Sequence, residues 1–420
     1  MSKARDADWR KKELSLKEVQ EKFPDLPKEW ILKVDLQRRG LTFTPAALEK
    51  LDLSRHSVVT NTWGRLGNGP EAAPEGLIMK DGSYLIANFD FDVKRPQRDP
   101  YTIDVQDDTI LVTDEGEILT EIQGYWEKPK FYDKKASNGR PLSDYVQSRP
   151  QRLDVPFYHY CHFWDTPGEG CKYCPWTPQY LAKGRGEEHG EYLYFREAFA
   201  EALKQSGRYT AIMITGGSVL GGKEVFDDEL ESYIRLLQVI GEFFETDRFP
   251  AQLICSAFNR RQLERLYQET GLMMYTTDIE ILNKERFEQI CVGKARHVGY
   301  EEWKQRLYDA VDVFGKGNVT SGVVLGAELA KPMGFESEDE AFKNITEQAE
   351  EIISHGITLA ANVWRSAPYS VFQNQDTPSL DYFVRCYRKF DRLQHKYCPN
   401  PYTDDFRRCG AHIGMDLMRV

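Results

Sequence analysis

Six short apolar runs alternate with long amphipathic stretches after about residue 150, and this alternation constrains the fold more than any other feature. The stretches between the runs carry apolar residues at helical spacing, and several end in glycine. Because the runs are apolar on both strand faces, they predict a parallel sheet covered by helices. The predicted strands are residues 155–160, 210–215, 251–255, 272–277, 319–325 and 357–363.

This pattern predicts an α/β fold, a partial (β/α)6 TIM-like barrel with its site at the carboxyl ends of the strands. Upstream, short strand-like segments such as ILKVDL, SYLIANFDF and TIDVQ alternate with turn-forming residues. The sequence therefore predicts a small β-rich N-terminal domain with a linker (1–150) and a barrel (151–365). Residues 366–420 form a C-terminal extension and are a candidate cover for the site.

The balance of charges indicates what kind of partner to expect. The 420-residue chain has a net charge of −11, which disfavours a nucleic acid held by phosphate neutralisation and favours a small-molecule or peptide substrate. The N-terminus lacks the apolar core of a signal peptide, and no apolar run approaches the roughly 18 residues that span a bilayer. We therefore expect a cytoplasmic protein without a membrane partner, whose eight cysteines serve metal binding or packing rather than disulfides.

Three cysteines follow the first predicted strand in a C-x9-C-x2-C array, Cys161, Cys171 and Cys174. Three thiolates on one loop can bind three irons of a [4Fe–4S] cluster and leave the fourth iron open to a ligand that is not protein. The alternative is a structural zinc site completed by His159 or His162. Polar residues also follow the later strands, so they are expected to meet the cysteines at one rim.

Residues 155–365 resemble the radical S-adenosylmethionine (radical SAM) superfamily. The resemblance rests on four segments in the family's order: CKYCP, TGGS, a biotin-synthase-like YTTDIEILNKERFEQI, and NVTSGVVLGAE. It implies a [4Fe–4S] cluster on Cys161, Cys171 and Cys174, with SAM bound at its open iron. It also implies a set of SAM-binding residues, to which we add Ser256 as the polar residue after the third strand. The candidates are Tyr173, Gly216, Gly217, Ser218, Ser256, Glu280 and Gly326.

The resemblance also implies a reaction. An electron from a reductant such as flavodoxin or ferredoxin would cleave SAM and give a 5′-deoxyadenosyl radical that attacks the substrate, in an oxygen-sensitive enzyme. Substrate candidates at the rim are Glu328, Asn362 and Arg365. Alternatives are aminocarboxypropyl or methyl transfer from SAM, RNA modification, and a zinc or iron–sulfur protein without turnover. RNA modification is an alternative because of the nine-residue gap between Cys161 and Cys171, where three residues are usual. This gap resembles the one in the catalytic subunit of Elongator.

Three further cysteines, Cys386, Cys398 and Cys409, lie in the C-terminal extension. Some radical SAM relatives carry auxiliary clusters in such a place. The spacings contain no C-x2-C pair, so free thiols are the alternative.

Overall fold

The fold is described from a computed structural model, which describes residues 12–58, 74–86, 100–182, 191–397 and 412–419. None of the helices within these ranges is long and apolar enough to cross a membrane.

The N-terminal part contains a six-stranded sheet in the order β1-β4-β5-β6-β2-β3. Its neighbouring strands are antiparallel except for the parallel pair β1 and β4. The strands are β1 (Leu41–Phe43), β2 (Leu77–Met79), β3 (Tyr84–Leu85), β4 (Tyr101–Gln106), β5 (Thr109–Asp114) and β6 (Glu117–Tyr125). Helices α1 (Leu16–Lys22), α2 (Lys28–Arg39) and α3 (Pro45–Glu49) precede or join them.

Helix α2 corrects one sequence prediction, because it contains the segment ILKVDL that we expected as a strand. The alternation of apolar and charged residues suggested one solvent-facing side. In the structure both charged residues are buried: Lys33 pairs with Asp416, and Asp35 accepts a hydrogen bond from Arg38 at 2.5 Å. The alternation therefore reflects buried ion pairs in an enclosed helix rather than a half-exposed strand.

The second sheet has seven strands in consecutive order, and every neighbouring pair is parallel except β7 with β8. The strands are β7 (Gln147–Arg149), β8 (Arg152–Tyr158), β9 (Ala211–Gly216), β10 (Phe249–Ile254), β11 (Leu272–Thr276), β12 (Val319–Leu325) and β13 (Thr358–Val363). The six strands predicted from the sequence correspond to β8–β13, which confirms a mixed α/β fold with a parallel sheet.

Nine helices occur in this part of the described chain. They are α4 (Trp176–Ala182), α5 (Tyr192–Ala202), α6 (Asp227–Gly241), α7 (Arg260–Glu269), α8 (Lys284–Ile290), α9 (Val292–His297), α10 (Tyr300–Phe314), α11 (Glu338–Ser354) and α12 (Leu380–Tyr397). The five amphipathic stretches predicted as helices are α5, α6, α7, α10 and α11. Since β8–β13 run parallel, their carboxyl ends share one edge of the sheet, and the loops that leave this edge can meet.

The chain returns to α2 through a short turn, Ile413–Arg419. The Trp30 indole N–H donates to the Ile413 carbonyl at 2.7 Å, and Met415 packs against Ala360 of β13. The two domain boundaries drawn from the sequence stay predictions.

Candidate functional site

The loop after β8, residues 159–175, carries the three cysteines and is called the cysteine loop below. It is fixed at its start, where the Cys161 N–H donates to the Thr177 hydroxyl at 3.0 Å. The loop after β9 lies beside it, since the His162 N–H donates to the Ser218 carbonyl at 2.8 Å. The cysteines therefore occupy the predicted edge of the sheet, next to the TGGS segment.

The three thiols are buried or partly buried, and the pKa of each depends on its neighbours. Burial raises the pKa of Cys161 to about 11, and it raises the pKa of Cys174 further; repulsion from the Cys171 thiolate acts in the same direction on both. Cys171 differs, because a hydrogen bond from Cys291 holds its pKa below the ordinary value.

The donor set fits an iron–sulfur cluster better than a zinc ion. Zinc needs about four ligands around one ion, whereas the cysteine loop supplies three thiols. In a [4Fe–4S] cluster each thiolate binds a different iron, and three thiolates leave one iron open. Of the two candidate histidines, His159 stacks on Tyr180 at 5.2 Å, and the His162 ring accepts the Leu220 N–H at 3.4 Å.

Gly216 and Gly217 of the TGGS segment allow the two loops to approach. A Cβ at Gly217 would lie 2.2 Å from the Tyr160 carbonyl oxygen, and one at Gly216 would lie 2.7 Å from Tyr158. These glycines thus have a packing role in holding the TGGS segment against the cysteine loop. The close approach also leaves the backbone around Ser218 beside the cysteines, where the resemblance expects a SAM contact.

Ser256 follows β10 and is 3% exposed. Its N–H and hydroxyl both donate to the Glu229 carboxylate, at 2.9 and 2.8 Å, and the Val219 N–H donates to the same group at 2.8 Å. Burial raises the pKa of Glu229 to about 7. Glu229 was not predicted, because it sits inside an amphipathic helix where nothing distinguishes it from a surface glutamate; it joins the loops after β9 and β10.

Glu280 stands after β11 in a conformation rare for a residue with a side chain, at φ 67°. Its N–H donates to the Gly322 carbonyl and its own carbonyl accepts from Val324, both at 2.9 Å. The carboxylate pairs with Lys294 at 2.8 Å, and the same ammonium group donates to the Asp278 carbonyl at 2.6 Å. Lys294 was not predicted from the sequence.

Asp278 lies at the same end of β11, and its Oδ1 accepts the Gly322 N–H at 2.7 Å. Burial, with repulsion from Glu280, raises the pKa of Asp278 to about 6. His412, from the segment just before the C-terminal turn, lies near enough to act against this shift.

The loop after β12 contains Gly326 and Glu328. Gly326 has φ +104°, and its N–H donates to both oxygens of Glu328 at 2.9 Å. Glu328 is 1% exposed and also accepts a hydrogen bond from the Tyr382 hydroxyl of α12. These contacts give Glu328 a role in joining the loop to α12. Asn362 lies near the end of β13 and Arg365 follows it, and substrate binding by Glu328, Asn362 and Arg365 stays a prediction.

A small cavity with room for about one water molecule lies along β7, β8 and β9. Trp176, two residues after Cys174, connects it to the cysteine loop. Its charged wall is Arg149, paired with Glu75 at 2.5 Å and with Asp154 at 3.2 Å. The lining residues are Gln147, Arg149, Asp154, Pro156, Trp176, Met213 and Thr215.

The auxiliary cluster on Cys386, Cys398 and Cys409 stays a prediction. Cys386 is buried in α12 beside Tyr382 and Glu328. Cys398 and Cys409 lie outside the described residues.

The chain is similar to one curated enzyme at the sequence level. Bacteriochlorophyllide c C-7(1)-hydroxylase from Chlorobaculum limnaeum is 25% identical over 317 residues, which cover 72% of this chain and 75% of the hydroxylase. This similarity relates the chain to an enzyme. No family model matches it.

Two solved structures show weaker likeness. A radical SAM methyltransferase from Sphaerobacter thermophilus has a TM-score of 0.42 at 12% identity, covering 95% of this chain and 97% of its own. A cobalamin-dependent S-adenosylmethionine radical enzyme has a TM-score of 0.32 at 11% identity, covering 71% of this chain and 39% of its own. Both TM-scores are below 0.5, and neither supports an assignment.

Proposed function

We propose that the protein is a radical SAM enzyme that acts on a small molecule or peptide, with a [4Fe–4S] cluster on Cys161, Cys171 and Cys174. The observation that carries the proposal is the position of these cysteines after the first of six parallel strands, hydrogen-bonded to the TGGS segment after the second. The similarity to an enzyme named for a small-molecule substrate favours a small molecule over a peptide or RNA.

Held by Cys161, Cys171 and Cys174, a [4Fe–4S] cluster would supply the electron for reductive cleavage of SAM. The chain's own residues bind and orient the reactants. The TGGS backbone offers contacts for the SAM methionine, and Glu280, aimed by Lys294 and by the backbone bonds around it, offers a carboxylate. Asn362, near the end of β13, and Arg365, after it, are the proposed contacts for polar groups of the substrate.

A reductant such as flavodoxin or ferredoxin completes the proposed system.

The test is anaerobic reconstitution followed by analysis of iron and of the products from SAM. We expect about four irons per chain, and methionine with 5′-deoxyadenosine after addition of a strong reductant. Methylthioadenosine would instead indicate aminocarboxypropyl transfer, and S-adenosylhomocysteine would indicate methyl transfer.

The variant in which Cys161, Cys171 and Cys174 are all changed to Ala should bind no cluster and cleave no SAM. Cys386→Ala is the matched control, since it removes a buried thiol in α12 and should keep both iron and cleavage. Retention of iron and of SAM cleavage by the triple variant would disprove the assignment of the three ligands.

A further inference from the structure

Residues 162–170 of the cysteine loop, called the gap segment below, fold compactly. The Glu169 N–H donates to the Thr166 carbonyl at 3.1 Å, which closes a turn. A Cβ at Gly170 would lie 2.3 Å from the Trp164 ring, so the two ends of the segment pack against each other. The gap segment therefore presents a defined surface to its neighbours.

Helix α9 lies directly on this surface. The Gly293 N–H donates to the Glu169 carbonyl at 2.7 Å. The Glu169 carboxylate binds the Arg296 guanidinium and lies 3.1 Å from the His297 ring nitrogen Nε2. A Cβ at Gly293 would lie 2.6 Å from the Phe163 ring, so glycine allows α9 to approach this closely. Both the main chain and the side chain of Glu169 thus bind α9 to the cysteine loop.

The same helix holds Glu280. Lys294, the residue after Gly293, donates to the Glu280 carboxylate at 2.8 Å and to the Asp278 carbonyl at 2.6 Å. The Lys294 side chain is 10% exposed and that of Glu280 is 15% exposed, so this pair is largely shielded from water. Consecutive residues of α9 therefore bind the gap segment on one side and the end of β11 on the other.

This arrangement fixes the position of the cysteine loop relative to Glu280. Glu169 stands two residues before Cys171, and α9 connects it to the Glu280 carboxylate. In the proposed function, SAM meets the open iron of the cluster and Glu280 at the same time. A ligand held at two points loses affinity when those points shift relative to each other, because its geometry no longer matches both. The gap segment can therefore affect SAM binding without contacting SAM.

We propose that Glu169 is a positioning residue, which binds α9, fixes the cysteine loop relative to Glu280 and so sets the affinity for SAM. This inference rests on the proposed function, because it requires SAM bound at a cluster. It also gives the long gap a role. Phe163 and Glu169 both contact α9, and a gap of the usual three residues could not contain both.

The test is a double-mutant cycle on the affinity for SAM. Glu169→Gln, Glu280→Gln and the double variant are reconstituted anaerobically, and the dissociation constant for SAM is measured by equilibrium dialysis. Glu169→Gln keeps the shape of the side chain and removes its charge, and we expect it to weaken SAM binding by roughly two- to thirtyfold. In the Glu280→Gln background it should have little further effect, because both changes act on the same contact.

Iron content and the circular dichroism spectrum are measured for every variant. Glu288→Gln, at an exposed position of α8, is the matched control and should keep the wild-type affinity for SAM. Arg296→Gln removes the largely exposed partner of Glu169 and should weaken SAM binding in the same direction. It provides the same comparison if Glu169→Gln does not fold.

The outcomes that overturn the inference differ from those that overturn the proposed function. Wild-type affinity in Glu169→Gln would overturn the inference, as would an equal loss with and without Glu280→Gln, since Glu169 would then act independently of Glu280. Wild-type affinity in Glu280→Gln would overturn it as well. Loss of iron from both Glu169→Gln and Arg296→Gln would mean that the contact retains the cluster rather than positioning SAM. If the wild type binds no cluster, the proposed function fails first, and this inference fails with it.

Discussion

The stability of the protein should depend on pH through Glu328, and the effect can be isolated with a single substitution. Burial raises the pKa of Glu328 to about 7 from an ordinary value of 4.5. For a carboxyl group with a raised pKa in the folded state, the stability it contributes is complete below pH 4.5 and is lost as pH rises through 7. Ionisation of Glu328 therefore costs folding free energy in the neutral range.

The magnitude follows from the two pKa values. Between pH 5 and pH 8, this group should lower the free energy of unfolding by about 2–3 kcal/mol. Glu328→Gln removes the ionisation and keeps the shape. The amide oxygen can accept the Gly326 N–H, and the amide nitrogen can donate to the Tyr382 hydroxyl. The direct effect of the substitution should then be the same at every pH.

The assay is urea unfolding of the metal-free protein at pH 5, 6, 7 and 8, with wild type and Glu328→Gln measured side by side. The difference in unfolding free energy should shift by about 2–3 kcal/mol in favour of Glu328→Gln as pH rises from 5 to 8. Contributions from other groups, including the buried Glu229, are common to both proteins and cancel. Glu347→Gln, at an exposed position of α11, is the control and should show no such trend. A difference that stays constant from pH 5 to pH 8 would refute the reasoning.

Two further predictions concern the loops at the site. Gly217→Ala should lower stability by about 1–3 kcal/mol, because its Cβ would lie 2.2 Å from the Tyr160 carbonyl oxygen. The control is Gly124→Ala, where a Cβ meets nothing within 4 Å and thermal unfolding should show no change. Equal losses of stability in both variants would contradict the argument. Lys294→Met should lower stability by about 1–3 kcal/mol, because the partly buried Glu280 carboxylate loses its partner. Lys294→Met/Glu280→Gln should recover part of that loss in urea unfolding, and a double variant no more stable than the single one would count against the pair.

The parallel sheet was predictable because its strands are buried on both faces and each is followed by an amphipathic helix. That pattern depends on local sequence, so β8–β13 were located to within a few residues. The prediction of a strand at ILKVDL was wrong because Lys33 in this segment pairs with Asp416, which is distant in the sequence. No local pattern can distinguish a buried ion pair from a solvent-facing side.

The candidate site also has residues that could be predicted from the sequence and residues that could not. Cysteines on one loop and glycines after a strand leave a spacing in the sequence, so Cys161, Cys171, Cys174 and the TGGS segment could be proposed without a structure. Lys294 and Glu229 leave none, since each is a single residue brought to the site by packing. Their partners become apparent only from three-dimensional contacts.

The backbone of Glu280 has a consequence for affinity. Its left-handed conformation is held by backbone hydrogen bonds to Gly322 and Val324, and Lys294 pairs with its carboxylate at 2.8 Å, so the carboxylate is held in place before any ligand arrives. A flexible glutamate would lose rotamer freedom on meeting a cationic ligand, at about 0.5–1.5 kcal/mol for a side chain immobilised at an interface. Here that entropy is already lost on folding. A ligand that meets Glu280 can therefore bind more tightly without making any additional contact.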